Sequence, residues 1–383
     1  MIPFDFYPRT RIVFGPGKVE MLGELAEELG AARALVVSDP GVVSAGHAQK
    51  GIDALTGRGI QSALFDGVEE NPTTRNVESG LAVARDFRPD VLIGLGGGSS
   101  MDCAKGINFL YSCGGRMQDY WGVGKATRSM LPSIAVPTTA GTGSETQSFA
   151  LISDPDTHVK MACGDKQASF RVAILDPVLT ITQPARVTAL TGVDALAHAV
   201  ETYVTKRRNA VSLAFSREAW QLLAENFAGV LNDPCDLDAR SGMQLGACFA
   251  GLAIENSMLG AAHALANPLT AHFGVIHGQA VGLMLPHVIR FNGEVFGQWY
   301  RDLLECTADS GGMPPPTSGA AGLADFVAGL VRKAGLASRL TDCGVAVDSL
   351  PVLARDAAKQ WTGSFNPRDV DEASLLEIYR QAM

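Results

Sequence analysis

The chain has 383 residues, more than one hydrophobic core usually serves, so two domains are expected. A formal net charge of −9 argues against nucleic acid or an anionic membrane as the main partner, and 46% hydrophobic with 19% charged residues suits a well-packed soluble enzyme. Seven scattered cysteines with no Cys-x-x-Cys, no basic leader and no run near ~18 apolar residues point to a reduced cytoplasmic setting rather than secretion or membrane insertion.

Ile12–Phe14 reads as a strand before a helical stretch from about Val19 to Leu29, and Ala34–Val37 is a short run ending at Ser38 and Asp39. A helical segment follows, then strand-like Ser62–Phe65, a helix over Thr74–Phe87, and a buried-strand pattern at Asp90–Leu95 that enters Gly96, Gly97 and Gly98. Ser133–Val136 is one more strand, and segments near 148–153, 158–162 and 172–175 suggest a smaller hairpin system. Such β/α alternation predicts a parallel sheet covered on both faces. Beyond Leu175 the texture changes to alanine- and leucine-rich helical periodicity, broken at Asn232–Pro234 and at the glycine- and proline-rich run 311–316. The expected division is an α/β domain over 1–180 and an all-helical domain over 181–383.

Two loops in the first half follow strands. Glycines at 96–98 let backbone approach a ligand closely, and free N–H groups where the next helix opens, near Cys103, favour phosphate. Ser99 stands where a Gly-x-Gly-x-x-Gly fingerprint would have its third glycine. The same residues also suit a plain strand–helix turn with Ser99 or Ser100 as N-cap and Asp102 answering the helix dipole. The second loop, Pro137–Glu145, is rich in small hydroxyl residues, as loops at the carboxyl ends of parallel strands that line a ligand crevice are; a polar surface loop is the alternative. Asp39 either bonds a ribose, which favours NAD over NADP, or caps the helix that follows.

In the second half, Asp194 and His198 are four apart, which on a helix stacks both on one face. Together with His263 and His277 they offer one carboxylate and three imidazoles, a set that suits a divalent first-row metal, iron or zinc above calcium or magnesium. Each also has a plain alternative. Thr191 and Asp194 have capping-box spacing, His198 fits a packed core, the alanines around His263 suit close packing, and His277 before Gly278 suits a helix start. The joint pattern favours the metal. His287 reads as structural, His272 is open, and His47 and His158 carry no partner signal.

In these motifs the chain resembles the iron-containing (group III) alcohol dehydrogenases over essentially its full length. Residues 96–105 resemble the family's cofactor loop, Pro137–Glu145 its second nucleotide-contacting loop, and Asp194–Glu201, His277–Gly278 and Leu285–Asn292 its metal-domain signatures. The resemblance implies a dinucleotide-binding α/β domain and an all-helical metal-binding domain, the dehydroquinate-synthase-like fold, with the active site in the cleft between them. It implies NAD(H) contacts at Asp39, Gly96, Gly97, Gly98, Ser99 and Asp102. On the second loop and beyond, it implies them at Thr138, Thr139, Thr142, Ser144, Lys160 and Leu179. It further implies Fe²⁺, or Zn²⁺ in some members, on Asp194, His198, His263 and His277, and a homodimer. Glycerol dehydrogenases and dehydroquinate synthases hold metal through an aspartate and two histidines, so His198 favours the alcohol dehydrogenase branch.

One position departs from the family. Many members carry a further histidine four residues after the third ligand, near the substrate; here it is Asn267, which can hydrogen-bond but cannot titrate. The departure implies altered substrate choice or a different proton route, with His272 a candidate substitute. Asn267 and His277 are thus the catalytic candidates, and Phe149 and Leu259 are either pocket walls or ordinary core. The expected reaction is NAD-linked hydride transfer between a primary or small alcohol and its aldehyde or ketone, with the metal as Lewis acid. A dehydroquinate-synthase-like lyase, a hydroxyacid–oxoacid transhydrogenase and a non-catalytic NAD- and metal-binding protein are the alternatives; few basic residues near the metal motifs argue against the first.

Overall fold

Residues Tyr7–Gln183 form one unit, and Pro184–Met383 with Met1–Phe6 form another, in a computed structural model that describes residues 2–156, 159–308 and 318–383. His158 and the run 311–316 lie outside the described residues.

The first unit runs β1 (Arg11–Phe14), α1 (Leu22–Glu28), β2 (Arg33–Val37), α2 (Pro40–Ser44), α3 (His47–Thr56), β3 (Gln61–Phe65), α4 (Thr74–Phe87), β4 (Val91–Gly96) and α5 (Gly98–Cys113). It continues through β5 (Gly122–Val123), β6 (Ser133–Pro137), β7 (Phe149–Ser153), β8 (Lys160–Gly164) and β9 (Val172–Leu175). Six strands pair in parallel in the order β1-β9-β6-β4-β2-β3. Every residue of β4 is buried, as a central strand covered on both faces requires. Alternation divides β2 and β4 between two cores: Leu35, Val37 and Leu92 enter one, and Ala34, Val36, Val91 and Ile93 the other.

β7 and β8 pair antiparallel beside β5, as the hairpin expectation had it for 148–153 and, within two residues, for 158–162. Residues 172–175 correct that expectation: β9 inserts between β1 and β6 in the main sheet. Its four side chains are all buried, which suits an interior parallel strand and not a two-sided hairpin.

Strand order reverses direction between β2 and β4, because β2 leads outward to β3 while β4 leads the other way to β6. The carboxyl ends at such a reversal open a crevice. Here they carry Asp39 after β2, Gly97 after β4 and Thr138 after β6.

The second unit is helical: α6 (Ala185–Val204), α7 (Ala210–Asn232), α8 (Leu237–Asn256), α9 (Ala261–Phe273), α10 (His277–Ala308), α11 (Gly319–Lys333), α12 (Leu350–Ala357) and α13 (Glu372–Gln381). Asn209 and Asp236 cap α7 and α8 with side-chain oxygens, so Asn232–Pro234 marks a true break. Trp220 and Tyr379 are fully buried, with their polar tips satisfied by the carbonyls of Leu303 and Leu265. Phe6 packs on Phe215, which ties the N-terminal residues to this unit. Among the described residues no single helix is long and apolar enough to cross a membrane.

Candidate functional site

α6 begins nine residues before Asp194, which removes the capping reading: the Thr191 hydroxyl donates to the Val187 carbonyl at 2.8 Å inside the helix. Asp194 and His198 therefore project from one face of α6. His263 lies in the first turn of α9, and His277 is the first residue of α10. The three imidazoles converge on one oxygen. Asp194 Oδ1 is 3.6 Å from His198 Nε2, 3.4 Å from His263 Nε2 and 3.7 Å from His277 Nε2. Ligand atoms of Asp194, His263 and His277 all lie within 4.8 Å of one another. His198 stacks on His263 with ring centroids 4.9 Å apart. Asp194, His198 and His263 are buried, while the His277 side chain is 26% exposed and so is the member open to an incoming ligand.

Glu201 was missed by sequence reasoning. It stands seven residues after Asp194 and three after His198, a spacing that puts it on the same helical face, and that was the available signal. Its Oε2 lies 2.5 Å from His263 Nδ1, and its Oε1 accepts the Ala262 N–H at 2.7 Å. With the Nδ1 proton held by Glu201, His263 turns the lone pair of Nε2 toward Asp194.

His263 Nε2 and Asp194 Oδ1 are both buried without a hydrogen-bond partner. Two buried lone pairs facing each other call for a cation. Burial opposes ionisation of Asp194, yet His198, His277 and His263 hold its carboxyl well below the usual range. Burial likewise opposes a charge on His263, but Glu201 and Asp194 push it up to about 9, so below that pH a proton occupies Nε2 and a metal ion binds there by displacing it. The residues fit a divalent metal with nitrogen and oxygen donors.

The other histidines lie elsewhere. Burial, helped by Arg290, pushes His287 down to about 4. His272 meets Asp356 at 2.9 Å, nine residues beyond His263 on α9 and roughly 13 Å along the axis. His47 is buried, with Nε2 2.7 Å from the Thr182 hydroxyl oxygen. Asn267, one turn beyond His263, donates to Gln360 Oε1 at 3.0 Å. Leu259 is half-buried between α8 and α9, and Phe149 is half-buried at the start of β7.

In the α/β unit, α5 opens at Gly98, five residues before the expected start. Gly97 takes the N-cap in extended conformation without a side-chain cap, so neither Ser99 nor Ser100 caps the helix. Gly96 sits at φ 154°, and a Cβ there would meet the Ser100 hydroxyl at 2.4 Å. Ser100 donates to Asp39 Oδ2 at 3.1 Å, while Asp39 Oδ1 accepts the Val42 N–H at 3.0 Å, so the capping role of Asp39 is realised. Thr138 donates its N–H to the Gly96 carbonyl, and Thr139 and Thr142 lie over Gly97 and Gly98. Asp102 and Ser144 are buried and bonded to each other, Ser144 Oγ to Asp102 Oδ1, at 2.6 Å. Lys160 Nζ reaches Asn71 Oδ1 at 3.3 Å, and the Asn71 N–H reaches Ser99 Oγ at 3.3 Å. Asn71, at φ 54°, was not singled out from sequence; a positive-φ asparagine in a turn carries no pattern of its own. Leu179 is 1% exposed and belongs to the sheet core.

Two family models match the chain: iron-containing alcohol dehydrogenase over residues 8–177, and the C-terminal domain of the Fe-containing alcohol dehydrogenase family over residues 188–383. The 1,3-propanediol dehydrogenase of Klebsiella pneumoniae is 35% identical over 381 residues, 99% of this chain and 98% of that one. The NAD-dependent methanol dehydrogenase of Bacillus methanolicus is 32% identical over 382 residues, covering 99% of this chain and 100% of the relative. A crystal structure of 1,3-propanediol oxidoreductase superposes with a TM-score of 0.95 at 35% identity, covering 100% of both chains. Both halves of the molecule thus carry the same kinship, and the chain belongs to the iron-containing alcohol dehydrogenase family, as an NAD-linked, metal-dependent alcohol dehydrogenase.

Proposed function

We propose that Asp194, His198, His263 and His277 hold one Fe²⁺ ion, with Zn²⁺ as the alternative occupant, and that the enzyme interconverts a small primary alcohol with its aldehyde. The observation that carries this reading is the single carboxylate oxygen of Asp194 with three imidazole Nε2 atoms between 3.4 and 3.7 Å from it. When bound, the metal supplies Lewis acidity toward the substrate oxygen. Asp194 contributes the one negative charge of the donor set, Glu201 fixes the orientation of His263, and the partly exposed His277 edge is where the substrate oxygen approaches.

In the α/β unit, the turn Gly96–Ser99 with Thr138, Thr139 and Thr142 offers backbone and hydroxyl donors to the pyrophosphate of NAD(H), and Lys160 a cation. Asp39 keeps acceptor capacity for the adenosine ribose, which favours NAD over NADP. Leu179 reaches a nucleotide only through its backbone. Asp102 and Ser144 hold the two loops in place. Leu259, four residues before His263, acts as a substrate-pocket wall in the helical unit. Asn267 adds a neutral amide one turn from His263, so the substrate is uncharged and polar; related enzymes are named for 1,3-propanediol, methanol and lactaldehyde. The seven cysteines, none of them in a disulfide, favour a reducing, cytoplasmic setting, and the exposed Phe4, Phe6 and Tyr7 favour a homodimer.

The test is metal analysis of anaerobically purified protein together with NAD⁺ and NADP⁺ assays across short alcohols and diols. About one iron or zinc per chain with alcohol-dependent NADH formation supports the reading. A metal-replete protein that turns over no alcohol, or a metal-free protein with full turnover, overturns it.

A further inference from the structure

Lys105 lies in the first half of α5, two turns past the glycine turn, and is 2% exposed. An ammonium has three N–H donors. Here they meet the Ser144 carbonyl at 2.8 Å, the Ser144 hydroxyl at 2.8 Å and the Phe149 carbonyl at 2.7 Å. Asp102 Oδ1 stands 3.6 Å away as counter-ion, and Phe170 places its ring centroid 5.2 Å from Nζ. Asp102 in turn accepts the Ser144 hydroxyl at 2.6 Å and the Leu151 N–H at 3.2 Å. Three elements meet at one cation: helix α5, the loop 138–145 and the first residues of β7.

Burying a lysine is an expensive way to join a loop to a helix, and an apolar side chain of similar length would fill the same space. What the ammonium adds is direction. It fixes the carbonyl and hydroxyl of Ser144, whose N–H then donates to Thr142 Oγ1 at 3.3 Å. Thr142 is thereby seated over Gly98, so closely that a Cβ at Gly98 would meet its Cγ2 at 2.6 Å. The seat of Thr142 relative to the free N–H groups at the start of α5 is therefore set from beneath by Lys105.

We propose that Lys105 is a positioning residue for cofactor binding: by holding Ser144 and the start of β7 against α5, it fixes the hydroxyl-rich loop in the geometry that receives the dinucleotide pyrophosphate. The inference rests on the assignment of the two loops to NAD(H) above. Its three donors are committed inside the protein, so Lys105 acts through Ser144 and Thr142 and not by touching the nucleotide.

The experiment is fluorescence titration of NADH into the metal-loaded enzyme, with metal content, melting temperature and steady-state kinetics recorded for each variant. Lys105→Met is expected to raise the NADH dissociation constant at least tenfold and the NAD⁺ KM in step, with kcat at saturating NAD⁺ within about threefold and metal content unchanged. Lys105→Gln, which keeps two donors, is expected to fall between the two, and it serves as the test if Lys105→Met does not fold. A folded variant with a lowered melting temperature but an NADH dissociation constant within threefold of the parent overturns the proposal and leaves a purely structural clamp. Gly98→Val, which obstructs the seat of Thr142 directly, separates the two levels. If it weakens NADH while the Lys105 variants do not, the positioning role fails and the loop assignment stands. If neither variant moves NADH, the loop assignment fails.

Discussion

Glu201 Oε2 lies 2.5 Å from His263 Nδ1, and this contact decides which nitrogen of His263 faces Asp194. A carboxylate behind a metal-ligating imidazole fixes its tautomer and raises its basicity, and losing one typically lowers metal affinity by ~10–100-fold. Glu201→Gln should do so here, because the amide can present its own N–H to Nδ1 and drive the proton onto Nε2. Chelator competition is the measurement. The parent should also lose thermal stability when metal is stripped, since an ion that binds only the folded state stabilises it, and the variant should lose less. An unchanged metal dissociation constant in Glu201→Gln would remove Glu201 from the centre.

Asn267 occupies the face of α9 one turn beyond His263, and its amide already has a partner in Gln360. Neither group titrates, so the parent has no ionisation at this position to carry a proton. Asn267→His should introduce one, adding a limb to the pH dependence of kcat near the ordinary histidine range of about 6.5. Overlapping pH profiles for parent and variant would show that this face of α9 takes no part in proton movement. His272 does not replace the missing histidine, since it sits at the far end of α9 against Asp356.

Glu145 is buried at the end of the hydroxyl-rich loop, and burial pushes its carboxyl up to about 7, against the opposing pull of a backbone hydrogen bond and of Lys105. Its folded value lies above the unfolded value, so the folded chain holds the proton more tightly. The stability it contributes is full below the unfolded value of 4.5, falls as pH rises toward about 7, and is flat above. Glu145→Gln, which mimics the protonated form, should therefore be more stable than the parent at pH 8, by at most roughly 3 kcal/mol, and nearly equal to it at pH 4.5. Melting curves of the two proteins at both pH values are the check. A constant difference across that range would mean that folding does not shift the Glu145 carboxyl from its unfolded value.

How much of this was legible before the structure depends on how local the cause is. The parallel sheet is readable because continuous apolar runs such as Val91–Leu95 have one stable use, and the grouping of Asp194 with His198 because the two share a helical face. The place of β9 in the main sheet is not legible locally, because it is fixed by pairing with β1 and β6, distant in sequence. The start of α5 was read late because glycines at 97 and 98 look like loop, whereas the helix tolerates them where Thr142 packs closely. Glu201 was in plain view at the right spacing, but its partner, His263, is 62 residues away on another helix. The lysine at 105 reads as any helical lysine until the loop that covers it is in place.

Gly278 follows His277 at the start of α10. An ideal Cβ at this position would lie 2.3 Å from the Leu190 carbonyl oxygen and 2.8 Å from its carbon, both backbone atoms of α6. No side-chain rotation relieves such a contact, so α10 must move away from α6 or the two helices must separate locally. Leu190 is one helical turn before Asp194, and Gly278 is the neighbour of His277, so the displacement falls on the distance between Asp194 and His277. Gly278→Ala should thus weaken metal binding as well as lower the melting temperature, typically by the equivalent of about 1–3 kcal/mol for an overpacked site. Gly293→Ala offers the comparison: its Cβ would meet Ala320, at 2.3 Å from that residue's Cβ, far along α10 from His277. That variant should lose stability and keep its metal affinity. Equal metal affinity in both variants would mean that the start of α10 can shift without moving His277, and that the close approach of α6 and α10 serves packing alone.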